Sequence, residues 1–206
     1  MSSPPRILIC DHRGGGLEER LAALSSAGFV VETSRHLRGS LEALAAGRAD
    51  LVLVAPLTDG AAVELDALER GRAGLPHPPP VLVLHEETLR LPAAFGHRAR
   101  ERGLWDLMRR TASNEEFLLR IDLLRSQAER LREMALLRHR ATHDDRTDLL
   151  RPQIFQERLR EHFSAAQRHG LDLALLILDL DRFGRINKIF DHTVGDALIV
   201  AVAGAI

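Results

Sequence analysis

The chain is poor in the residues that staple or stiffen small folds. It has one cysteine, Cys10, one tryptophan and no tyrosine in 206 residues. A single thiol excludes an intrachain disulfide, and its place inside an apolar run fits a reducing compartment. Aromatic residues make up only 4%, so the cores must be built from Leu, Ala, Val and Ile. No apolar run approaches the roughly 20 residues needed to span a bilayer. Residues 1–5 (MSSPP) are too short and polar for a signal peptide. A cytoplasmic protein without a membrane partner is the expectation. Charge of one sign is also lacking: the formal net charge is −1. That leaves no electrostatic case for nucleic acid as the main partner.

What is present begins with alternating short apolar runs and helical patterns. Residues 6–10 (RILIC), 29–31, 51–54 (LVLV), 81–84 (VLVL) and, more weakly, 104–108 read as strands. Helical periodicity fills 17–27, 41–46 and 61–72, and the stretch 87–102 is helical but interrupted by Pro92. Gly28 reads as a helix stop. The run Pro76-His77-Pro78-Pro79-Pro80 must be a linker. Five β-α units with continuous apolar strands predict a parallel sheet covered on both faces.

These units resemble the receiver domain of response regulators, a flavodoxin-like doubly wound fold. The resemblance can be tested where a receiver carries its chemistry. An acidic pair should follow the first strand, and here Asp11 is followed by His12. The aspartate that accepts phosphate should end the third strand, and Ala55 stands there. His85 replaces the hydroxyl after the fourth strand, and Arg110-Thr111 replaces Lys-Pro after the fifth. Alanine has no nucleophilic oxygen, so the resemblance implies a pseudo-receiver over 1–112, a docking or dimerisation module. Asp59 is a candidate displaced acceptor, but in-line transfer sets geometry that a loop position is not expected to meet. An unrelated flavodoxin-like domain is the other reading.

Residues 113–142 read as one long signalling helix. Ser113 is placed as an N-cap, with Glu116 completing a capping box. Phe117, Ile121, Leu124, Ala128, Leu131 and Ala135 recur at heptad spacing. The first two turns are expected to pack on their own domain. Beyond Ser126 the pattern predicts a two-stranded parallel coil, hence a homodimer through this helix and the receiver-like domain.

Residues 143–206 open a new unit. Residues 152–169 form an amphipathic helix with Phe155, Leu159 and Phe163 on one face, stopped by Gly170. Residues 171–180 (LDLALLILDL) read as a strand ending in acid. A helix starts near Arg185, and Gly195-Asp196 leads into another. The residues alone leave two readings open. Asp179, ending an apolar run, can hold a cation beside a phosphate, and Asn187 with Asp196 supply a donor, an acceptor and a carboxylate. Equally, Asp179 and Asp181 can be turn caps and Asn187 a solvated helix residue.

The run from Asp179 to Asp196 resembles the GGDEF family pattern D-x-D-x-F-K-x-I-N-D-x-x-G-H-x-x-G-D. Asp179, Asp181, Phe183, Ile186, Asn187, His192, Gly195 and Asp196 match at full spacing. Upstream, His143-Asp144, Thr147 and Leu149 are similar to the family's opening motif D-x-L-T-x-L. The resemblance implies a partial α+β, nucleotide-cyclase-like domain. By it, Asn187 and Asp196 hold the guanine of GTP, and Asp179 with the Leu180 carbonyl holds Mg²⁺. The backbone N–H groups of Arg182, Phe183 and Gly184 meet phosphate at a helix start. Departures are present: Gly184 replaces a Lys, Lys188 an Asp, and Asp191 a Gly. In the opening motif Arg146 replaces Leu, and Asp148, Leu150, Arg151 and Pro152 replace the usual Gly, Pro, Asn and Arg. The GG(D/E)EF hairpin itself does not occur before Ile206, so the chain as given is expected not to make cyclic di-GMP, and the abrupt stop reads as a cut. The implied parent is a diguanylate cyclase with GTP and a further protein partner. The alternative is a non-catalytic adaptor.

Overall fold

The structure, a computed structural model, describes residues 4–12, 14–56, 61–86 and 104–206. Asp59 and the helical stretch expected at 87–102 lie outside them. The chain divides into two compact units, 1–132 and 133–206.

The first unit is a five-stranded sheet in the order β2-β1-β3-β4-β5, with every described pairing parallel. The strands are β1 (Arg6–Asp11), β2 (Val30–Ser34), β3 (Leu51–Ala55), β4 (Val81–His85) and β5 (Trp105–Arg109). Helices α1 (Glu18–Ser26), α2 (Leu37–Ala45) and α3 (Ala61–Ala73) lie between them. Period-two alternation splits the apolar strands between two cores. One face joins Ile7, Ile9, Leu51, Leu53, Leu82 and Leu84 with Leu17 and Leu24 near α1. The other joins Leu8, Cys10, Val52, Val54, Val81 and Val83 with Leu44 of α2 and Leu65 and Leu68 of α3. The doubly wound α/β fold expected from the strand runs is what forms. Burial pushes the Cys10 thiol up to about 11, offset in part by its contact with Ser40, so it remains an inert protonated core group.

The Pro-rich linker is tied to the sheet through Arg72, which is buried. Its Nη1 donates to the Pro79 carbonyl at 3.1 Å, its Nε and Nη2 meet Glu69 Oε2, and it lies over the Trp105 ring. Trp105 Nε1 donates to the same carboxylate oxygen at 2.9 Å.

Helix α4 (Asn114–Thr142) starts in the first unit. Ser113 Oγ accepts the Glu116 N–H at 3.2 Å, as a cap should. Glu116 turns instead to Arg120 at 3.0 Å, so only half of the expected capping box closes. Buried Arg20 holds the helix start, donating to Asn114 Oδ1 and to the carbonyls of Arg110 and Ala112. Phe117, Ile121 and Leu124 complete the first core face, and Ala128 is buried as well. The first three members of the heptad seam are therefore used on the chain's own sheet. Leu131, at 52% exposure, is its first member left outward.

The second unit holds the end of α4, then α5 (Pro152–His169), α6 (Phe183–Phe190) and α7 (His192–Ala203). Gly170 takes φ +64 after α5, the left-handed stop its type allows. The strand expected at 171–180 does not form. That run is without regular structure, and Leu176 and Ile177 are 80% and 81% exposed. A strand exists only by pairing, and among the described residues this unit offers no ladder to join; it contains a single isolated bridge, His143 with Leu150. The apolar face of α5 is likewise uncovered, with Phe155 and Phe163 exposed.

Candidate functional site

Two places were singled out by the sequence, one in each unit. In the first, β1 and β3 run side by side with Asp11 in register with Ala55. This is the topological switch point of the sheet, where open α/β folds bind ligands. Ala55 is fully buried, so the acceptor position is filled by a methyl group. Asp11 Oδ1 accepts the Gly14 N–H at 3.2 Å and shapes the turn Gly14-Gly15-Gly16, whose φ values are all positive. Arg110, at the Lys position, spends its Nη2 on the carbonyls of Gly15 and Gly16 at 3.2 and 3.3 Å. His12 stands where the second acid would be. Its Nε2 lies 3.3 Å from Ser40 Oγ and its Nδ1 3.1 Å from Glu64 Oε2, the latter an ionic contact without the angle of a directed hydrogen bond. His85 Nδ1 meets the Glu86 carbonyl at 2.9 Å. Each position that would grip a phosphoryl group is occupied by local structure.

In the second unit, the opening motif folds as a closed turn around Asp144. Asp144 Oδ1 accepts the N–H groups of Thr147 and Arg146, each at 3.1 Å, and the Thr147 hydroxyl at 3.0 Å. The backbone N–H bonds to Thr147 and Arg146 hold this carboxyl below the usual range. Asp148 takes φ +58 where the family has Gly, a conformation Asp tolerates, and its carboxylate meets His139 Nε2 at 2.5 Å. The His139 ring in turn stacks on His143.

Asp179, Leu180 and Phe183 line a cavity of about 320 Å³ with Thr147, Leu149 and the apolar face of α7. The Leu180 carbonyl accepts the Phe183 N–H at 3.3 Å, so one of the three N–H groups expected to face phosphate is already engaged. Arg182, the residue before α6, takes φ +57, and the carbonyl it turns inward accepts the Arg185 N–H at 2.8 Å. Gly184 is exposed in the first turn of α6 and meets nothing within 4 Å of where a Cβ would stand.

Asn187 is placed by a contact with α7. Asn187 of α6 presses on Gly195 of α7 so closely that a Cβ there would fall 1.7 Å from Asn187 Oδ1. Glycine is required by that contact. Asp196 is the next residue. Asn187 Oδ1 is buried without a hydrogen-bond partner. The cavity that Asp179 lines includes neither Asn187 nor Asp196. Asn187 meets α7 through Gly195, and Asp179 precedes α6 in the chain.

Two residues that sequence reading passed over complete the arrangement. Asp191, at φ +80, caps α7 by accepting the N–H groups of Thr193 at 2.6 Å and Val194 at 3.3 Å. The Thr193 N–H bond, with the Thr193 hydroxyl and the Val194 N–H, lowers its pKa. Arg146 reaches Asp196, Nη1 to Oδ2, at 2.7 Å. Both stood out as departures from the family pattern, which was the available signal; their partners were not legible.

Residues 141–206 match the family described as "Diguanylate cyclase, GGDEF domain". "Diguanylate cyclase TpbB" of Pseudomonas aeruginosa is 35% identical over 165 residues, 79% of this chain and 37% of the relative. "Cyclic di-GMP phosphodiesterase PdeB" of Shewanella oneidensis is 43% identical over 70 residues, 34% of this chain and 8% of the relative. Among solved structures, a CheY-like receiver domain protein from Methanospirillum hungatei JF-1 covers 62% of this chain with a TM-score of 0.52 at 18% identity, a likeness of fold. The chain thus carries GGDEF-domain sequence behind a receiver-like fold, and it spans 37% of the length of its diguanylate cyclase relative.

Proposed function

We propose that this chain belongs to a cyclic di-GMP signalling protein, in which a pseudo-receiver over 1–112 acts through the helix 113–142 on a GGDEF domain that begins at 143 and binds GTP. The observation that carries the reading is the close packing of Asn187 on Gly195, the residue before Asp196 in α7. Guanine presents an N1–H and an amino group beside a carbonyl. The Asn187 oxygen is an acceptor without a donor, its amide nitrogen is a donor, and Asp196 is a carboxylate. A buried unmatched acceptor costs about 1–3 kcal/mol, which a ligand N–H recovers.

Asp179 and the Leu180 carbonyl fit magnesium as one carboxylate and one neutral oxygen. Magnesium is commonly held by one or two carboxylates plus substrate phosphates, keeping its waters. Among the described residues no cluster of three or more His, Cys, Asp or Glu offers a closed cage. When bound with GTP, the ion would neutralise charge on the phosphates. The residues of this chain hold the base, place one carboxylate near the phosphates and offer N–H groups at the start of α6. In the parent, two such domains would be brought together by a dimer.

A second reading is a domain that binds GTP without forming product. It is favoured by the 43% match over 70 residues to a protein named a phosphodiesterase. Product analysis of the full-length protein with GTP and Mg²⁺ separates the two, and calorimetric titration tests what they share. Asn187→Ala and Asp196→Ala are each expected to weaken GTP binding about ten- to a hundredfold. Unchanged affinity in both would remove the guanine site.

A further inference from the structure

We propose that Arg146 competes with the nucleotide for Asp196, lowering both the affinity of the site and its ability to tell guanine from a base without the 2-amino group. The inference rests on the reading of Asn187 and Asp196 as a guanine site. Arg146 stands where the family pattern has leucine. The Asp144 turn fixes its backbone, since Asp144 Oδ1 holds the Arg146 N–H at 3.1 Å. From there its Nη1 lies 2.7 Å from Asp196 Oδ2.

The two side chains keep 67% and 46% of their exposure. An ion pair so open to water is weak and exchanges readily, which suits competition rather than a lock. A carboxylate reads guanine by taking the N1–H on one oxygen and the amino N–H on the other. With Oδ2 held by a guanidinium, a charged donor, one of those acceptors is already engaged. Leucine in this position makes no such claim on Asp196. The guanidinium therefore acts as a built-in occupant of the recognition edge, and it must turn aside when the base docks.

The test is calorimetric titration of the chain with GTP and with inosine triphosphate, which lacks the amino group, at low and high salt. Arg146→Leu is expected to bind GTP about two- to fivefold tighter, the scale of an exposed ion pair. Its gain for inosine triphosphate should be smaller, so the preference for guanine widens. Arg146→Lys, which keeps a charge without the fork, should fall between. At high salt the native chain should approach the leucine variant, because the pair is screened. Arg158→Leu removes an exposed cation from α5 and should change nothing.

Weaker or unchanged GTP binding in Arg146→Leu overturns the proposal, the former indicating that Arg146 meets phosphate. An equal gain for both nucleotides, or the same gain in Arg158→Leu, overturns it as well. Should the leucine variant lose helix content, Arg146→Gln reads the same competition. If neither the native chain nor any Arg146 variant binds GTP, it is the guanine-site reading itself that fails, and this inference with it.

Discussion

At the scale of single residues, Gly195 shows how a hydrogen atom in place of a side chain permits a close helix contact. Its bare Cα admits the Asn187 amide at a distance no Cβ would allow. Gly195→Ala is a favourable exchange for a helix, worth about 0.5–1 kcal/mol. The atom it displaces is the end of a side chain that can turn away. The expected result is an unfolding midpoint equal to or above that of the native chain, with GTP affinity lowered about tenfold. Unfolding and titration of the same sample check it, and a loss of both stability and binding would contradict it. Asp191 makes the complementary point. Its side chain stands where the family has none, and it accepts the first N–H groups of α7. A carboxyl held below the ordinary 3.8 by those bonds stabilises the folded form above that pH. That contribution fades as pH falls through the depressed folded value. Asp191→Ala should therefore lower the helical signal of the second unit at neutral pH and flatten its decline in acid, as followed by circular dichroism.

At the scale of elements, α4 is the informative one. Its sequence has a heptad period, yet the period alone does not say what the stripe faces. Phe117, Ile121 and Leu124 sit in the sheet core, so Phe117→Ala should cost about 3–5 kcal/mol in unfolding of the first unit. Denaturant titration reads this directly, and a cost under about 1 kcal/mol would show that the helix is docked only loosely. The run 171–180 is the opposite case. It has the composition of a buried strand, but a strand's backbone is satisfied only by neighbours, and it has none in this unit among the described residues. Composition specified what the segment is fit for, and pairing decided what it does.

For the whole molecule, the first unit has a receiver-like fold, a likeness of architecture alone. Ala55 lies in register with Asp11, where a phosphoryl acceptor would have to be. Incubation with acetyl phosphate or beryllofluoride is expected to leave the protein unlabelled and its spectrum unchanged. Uptake of phosphate would mean that another carboxylate serves. No helix among the described residues is long and apolar enough to cross a membrane.

The sequence by itself determined the parallel sheet, because three strands are continuous apolar runs that only a two-sided core can accept. It determined that β3 ends without a carboxylate, because residue identity at Ala55 is enough. It also marked Asn187, Gly195 and Asp196 by their spacing. What it left open depended on contacts between segments far apart in the chain. Only the tertiary structure decided that α4 spends its stripe on its own sheet through Leu124. Only it packed Asn187 on Gly195, and only it set Arg146 against Asp196 across fifty residues of chain. Periodicity and motif are local properties of a chain, whereas an ion pair or a shared wall exists only once the backbone has brought its two sides together.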